Sequence, residues 1–235
     1  MKDTKSIISD SGIQGLNGEI LFPSLDGVDL SKPGDNAIYL AKMDFYPFHK
    51  VMEDNQLALD ELSETYSNIH KKANDVGDFF IEEKAMHNLI IHSSRVSLLT
   101  YYSLLLTMVS ILEEAVNTLC RMHKNMRKLA KDLKDIRGSG LERAAKYLKD
   151  VAGIEGFKDD SNWEYITTIR DVRNMVVHNG GRIIKEDVRQ KCDKFGIGYR
   201  EEDYGLYLEY SDLEKFYQAM MEFIERAFRI EPTIN

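Results

Sequence analysis

The chain has 235 residues, of which 43% are hydrophobic and 30% charged, and a net charge of -8. That composition is globular and excludes a disordered or low-complexity chain, and the acidic balance excludes a protein that coats nucleic acid through bulk charge. No apolar run approaches the length needed to span a bilayer, and the first residues lack the basic-then-apolar signature of a secretory leader. The expectation is a cytoplasmic protein with no membrane association.

Residues 1–37 are rich in Gly, Ser and Asp and form an irregular N-terminal arm. Asn17-Gly18 between Ile13, Leu16 and Ile20, Leu21, Phe22 also permits a small hairpin there. Residues 38–235 form one helical domain. Its first stripe runs through Val51, Met52, Leu57, Leu62, Tyr66 and Ile69, with Pro47 starting or kinking that helix. Residues 74–78 read as a turn. The segment from about 79 to 134 is the most persistently helical and apolar around much of its centre, as expected of the spine of a core. Glu113 and Glu114 interrupt it, and a core-facing carboxylate there needs a donor.

From Arg121 to Arg137 the same helix turns basic. Residues 121–150 carry a local charge of +6. Arg121, Lys124, Arg127, Lys128 and Lys131, spaced by three and four, read either as a solvated face or as a surface that tracks RNA phosphates. Gly138-Ser139-Gly140 ends it, and a short helix over 141–151 follows. Asp160 or Ser161 caps the next helix, with Glu164 placed for a capping box. After Gly180-Gly181 come a short helix over 185–194, an extended or hairpin element near 197–210, and a last amphipathic helix from about 211 to 230. The fold class is therefore all-α, a compact antiparallel bundle around a long central helix.

Cys120 and Cys192 lie in separate segments without a Cys-x-x-Cys. They read as small apolar side chains in a reducing compartment rather than a disulfide or a zinc site. No glycine-rich phosphate loop, zinc-protease helix or nucleophile elbow occurs, so no cofactor and no metal is implied.

The stretch with chemistry is Arg173-Asn174-Met175-Val176-Val177-His178, closing a helix before Gly180-Gly181. Asn174 and His178 are an i,i+4 pair, and Arg170 extends the row by one turn. A guanidinium that forks onto phosphate, an amide, and a side chain titrating near neutral pH meet at one helix end. A histidine at this position also serves as a plain C-terminal cation, and that reading stays open.

Arg, a polar residue, a short apolar run and His at a helix end resemble the Arg-x4-6-His motif of the HEPN superfamily, helical domains many of which are ribonucleases. The apolar helix bearing Glu113 and Glu114, and the ending from Leu206 into the last helix, are similar to that family as well. The resemblance implies a metal-independent endoribonuclease that cleaves by 2'-hydroxyl attack, with Arg173, His178 and Asn174 catalytic and Arg170, Glu113 and Glu114 supporting. It implies single-stranded or tRNA-like RNA as substrate and a homodimer with a composite active site. It also implies an inhibitory or activating protein partner and a role as a toxin or antiphage effector. The family's modified tyrosine two residues after the histidine is replaced here by Gly180. The alternative is a catalytically silent module of the same kind that binds RNA or a protein.

Overall fold

The computed structural model describes residues 8–9, 12–14, 20–23 and 27–233. The fold is all-α. Ahead of the helices, β1 (Ile8–Ser9), β2 (Gly12–Gln14) and β3 (Ile20–Pro23) form a small antiparallel sheet in the order β1-β2-β3. Ile13 stands opposite Phe22, with an irregularity between Ile13 and Gln14. Pairing of β2 with β3 matches the hairpin that the Asn17-Gly18 pattern permits; those two residues themselves lie outside the described ones.

The helices are α1 (Pro33–Val76), α2 (Phe79–Ile91), α3 (Ser97–Arg127), α4 (Gly140–Asp150), α5 (Trp163–Asn179), α6 (Glu186–Phe195) and α7 (Tyr210–Ala227). Short 3-10 turns occupy Leu133–Asp135 and Phe157–Asp159. Between α2 and α3, His92–Val96 continue the helix as a π turn. Near 197–210, two isolated bridges, Tyr199 with Leu206 and Arg182 with Gly205, make the expected extended element.

Two expectations are corrected. Pro47 lies inside α1 rather than at its start. A proline there removes one helical hydrogen bond and costs about 3 kcal/mol. Ala41, Phe45, Phe48 and Met52 are buried on both sides of it, and at roughly 1.5–3 kcal/mol for each large side chain that burial outweighs the loss. The basic helix also stops early. It ends at Arg127, and Lys128 takes a left-handed φ of 53°. The residues beyond form a turn in which the Asp132 and Asp135 side chains cap one another's backbone, a local bond that competes with helix.

The bilayer expectation also changes. Because the π turn joins α2 to α3, Phe79–Arg127 is one 49-residue helix, and an 18-residue window within it has a mean hydropathy of 1.5. By length and composition alone it suffices to cross a membrane, as core helices of soluble proteins also do; a third of that window is buried in the protein. Phe79 and Phe80, at its start, are 77% and 75% exposed.

The chain divides into two compact units. The first comprises Met1–Phe48, Met108–Arg170 and Phe216–Asn235. Its core gathers around Phe157, whose ring centroid lies 5.2 Å from that of Phe223 and 5.7 Å from that of Trp163, both edge-on. Such contacts add to what the burial of these large rings supplies. The second comprises His49–Thr107 and Asp171–Lys215. Its buried side chains include Leu104, Leu105, Val172, Met175, Ile183, Val188, Cys192, Ile197, Leu206 and Leu208.

Candidate functional site

Helix α5 is fixed at its start by Asp160, whose carboxylate accepts the Asn162 N–H at 2.8 Å and a fork from Arg226 at 3.1 and 3.2 Å. Ile166, Ile169, Val172 and Met175 form its buried face, which sets the rotation of the helix and hence where its polar residues emerge. Toward its end, Arg173 and Asn174 are half-buried and His178 is exposed. Nη1 of Arg173 donates to Oδ1 of Asn174 at 3.0 Å. Asn174 therefore orients the guanidinium. Among the described residues no hydrogen bond or ion pair ties the His178 imidazole, and its ring is open to a ligand.

The chain leaves the helix through Gly180 and Gly181, both left-handed, with φ of 60° and 83°. Gly181 N–H reaches back to the Met175 carbonyl at 3.1 Å, and Gly181 C=O accepts Leu206 N–H at 2.7 Å. Tyr102 closes this corner. Its hydroxyl donates to the Leu206 carbonyl at 2.8 Å, and its ring occupies the space that a side chain on Gly181 would need. The histidine thus sits at a helix end tied to the 205–206 bridge rather than on a free loop. Sequence reasoning missed Tyr102, because a tyrosine within an apolar helical run carries no signal of what it will touch.

The remaining candidates belong to the first unit. Arg170 is half-buried in the first unit, with Nη1 3.8 Å from a Glu142 oxygen. Glu113, also in the first unit, places a carboxylate oxygen 2.7 Å from where a side chain on Gly140 would begin. That is the N-terminus of α4, where negative charge is favoured and Ser139 supplies no side-chain cap. Glu114 is exposed and pairs with Arg121. Of the cations assigned to RNA, Arg121 also reaches Thr118, Lys124 pairs with Asp132, and Arg127 donates to the Ala152 carbonyl. Lys128 and Lys131 are exposed and, among the described residues, form no ion pair.

Both thiols are buried, and burial pushes Cys120 and Cys192 up to about 12, so neither serves as a nucleophile near neutral pH. Among the described residues no group of three or more His, Cys, Asp or Glu side chains is placed to hold a metal ion. No protein-family model, curated protein or solved structure matches the chain.

Proposed function

We propose that this protein is a HEPN-type endoribonuclease that cleaves RNA without a metal, using Arg173, Asn174 and His178. One observation carries the reading: an exposed imidazole ends α5 one turn after a half-buried Arg-Asn pair, at a helix end bound to Leu206. RNA brings its own nucleophile, the 2'-hydroxyl. The protein has to move two protons and hold the charge that builds on phosphorus. His178 takes the 2'-proton or protonates the departing 5'-oxygen, a contribution worth roughly 100- to 10,000-fold. Arg173, aimed by Asn174, binds the non-bridging oxygens and strengthens as their charge grows. The products are a 2',3'-cyclic phosphate and a free 5'-hydroxyl.

One helix end offers one histidine, while the reaction uses an acid and a base. The reading therefore includes a homodimer that brings a second His178 and Arg173 into one cleft. It also includes a single-stranded or tRNA-like substrate, cytoplasmic action as a toxin or antiphage effector, and a partner protein that restrains or triggers cutting. Of the five cations assigned to RNA, Lys128 and Lys131 are the two whose side chains form no ion pair or hydrogen bond among the described residues, and these two meet phosphates.

A second reading has a specific observation in its favour. The Arg173 guanidinium already donates to Asn174, as it would in a silent module that binds RNA or protein without cutting. Cleavage of labelled RNA in EDTA by the wild-type protein and by Arg173→Ala and His178→Ala variants separates the two: loss of cutting in both supports the enzyme, and tight binding without cutting by any supports the module.

A further inference from the structure

A cleft of about 550 Å³ opens within the second unit, lined by α1, the π turn, α3 and residues 206–211. Its size is that of a small-ligand site. Two carboxylates, Asp60 and Glu209, stand on its walls beside the Tyr101 and Tyr207 rings. Tyr101 donates its hydroxyl to Gln56 at 2.8 Å, and Gln56 in turn donates its amide to one Asp60 oxygen at 2.8 Å. Tyr207 donates to one Glu209 oxygen at 3.2 Å. Each carboxylate is thus oriented by a single donor and keeps acceptor capacity. Of the serines on the wall, Ser93 and Ser94 donate to the Ile90 carbonyl at 3.3 and 2.6 Å and Ser97 to the His92 carbonyl at 3.1 Å, so these three present lone pairs.

The one guanidinium on the wall, Arg200, is forked onto Asp203 at 3.1 and 2.7 Å. His92, in the π turn, is 5% exposed, and its Nε2 has no hydrogen-bond partner. A buried nitrogen in that condition calls for one. The phenols report the same field. Burial and then the Asp60 carboxylate hold Tyr101 above its ordinary value, with Glu209 adding to it. The hydrogen bond to Glu209 does so for Tyr207, and burial followed by Glu214 pushes Tyr210 up to about 12.

We propose that this cleft binds an organic cation, a guanidinium or alkylammonium group seated between Asp60 and Glu209 against the rings of Tyr101 and Tyr207. Tyrosine faces attract such cations, and a planar guanidinium stacks on them while donating to carboxylates. The Asp60 and Glu209 carboxylates repel a phosphate, so the site is separate from the proposed cleavage chemistry and does not depend on it. The cation is carried either by a free polyamine or by an arginine side chain of a peptide.

The test titrates the full chain with spermidine, the tripeptide Gly-Arg-Gly and the neutral tripeptide Gly-Gln-Gly at low salt, following amide shifts and calorimetric heat. Saturable binding of spermidine or Gly-Arg-Gly, with shifts at residues 60, 101, 207 and 209, is expected, and the tighter of the two names the source. The Asp60→Asn/Glu209→Gln double variant, isosteric and at exposed positions, should bind about tenfold more weakly. Absence of binding by both cations, equal binding of the neutral tripeptide, or unchanged affinity in the variant overturns the assignment. The comparison of charged with neutral tripeptide needs no variant to fold.

Discussion

Tyr102 stands against Gly181 so closely that a β-carbon on the glycine would lie 2.3 Å from the phenol oxygen. The position after the motif helix is therefore closed to any side chain, and the left-handed φ of 83° excludes one a second time. Gly180, with φ of 60°, has open space around it. Gly181→Ala should destabilise by about 2–4 kcal/mol, and Gly180→Ala by about 1 kcal/mol. Urea midpoints measure both; equal costs would mean that Tyr102 does not hold the corner.

His123 gives the protein a pH dependence. Its ring is 2% exposed, and neither nitrogen has a hydrogen-bond partner. Burial, with Arg127 adding to it, lowers it to about 4 from an ordinary value of 6.5. The unfolded chain therefore binds a proton between those values that the folded one refuses. The contribution is fully present above about pH 6.5 and is lost as pH falls toward 4, amounting to roughly 3 kcal/mol. Chemical unfolding across that window should show stability rising with pH, and His123→Leu should flatten the rise.

The cysteines supply a labelling test. With both thiols buried and pushed up to about 12, Cys120 and Cys192 should resist iodoacetamide at pH 8 in the native protein and react within minutes in denaturant. Rapid labelling of either in the native state would mean that its surroundings open.

At the start of the motif helix, Asp160 is 6% exposed and accepts both the Arg226 fork and the Asn162 N–H. Asp160→Ala should cost about 1–3 kcal/mol, and Arg226→Ala, at a more exposed site, about 1 kcal/mol. A double-mutant cycle should return a coupling of about 0.5–1 kcal/mol; additivity would show that the fork contributes nothing.

Much of the fold was legible because it rests on local signals. The Gly77-Asp78 turn, the glycines around 138–140, the Gly180-Gly181 stop and the 3.6-residue stripes place most helices to within a few residues. What periodicity did not give was decided by burial in one place and by a local turn in another. Pro47 stays helical because Phe45 and Phe48 are buried beside it, and the basic helix ends at Arg127 because Asp132 and Asp135 close a turn of their own. At the site, the helix end and the order of Arg173, Asn174 and His178 along it could be read from spacing, but the exposure of His178 could not. The hydrogen bond between Arg173 and Asn174 could not, because adjacent residues diverge on a helix and only rotamers bring them together. Glu113 reads as a core acid in sequence, but its neighbour is Gly140, 27 positions on. The cleft between Asp60 and Glu209 was invisible for the same reason: no local pattern joins residues that far apart.

The measurement that tests the central claim most directly is cleavage of 5'-labelled single-stranded RNA and tRNA in EDTA. Wild-type protein is compared with Arg173→Ala and His178→Ala variants whose folding is verified by circular dichroism. The account predicts products ending in 2',3'-cyclic phosphate from the wild type, and at least a 100-fold loss in each variant. Cutting that survives both substitutions, or well-folded wild-type dimer that cuts no RNA under any condition, would contradict it.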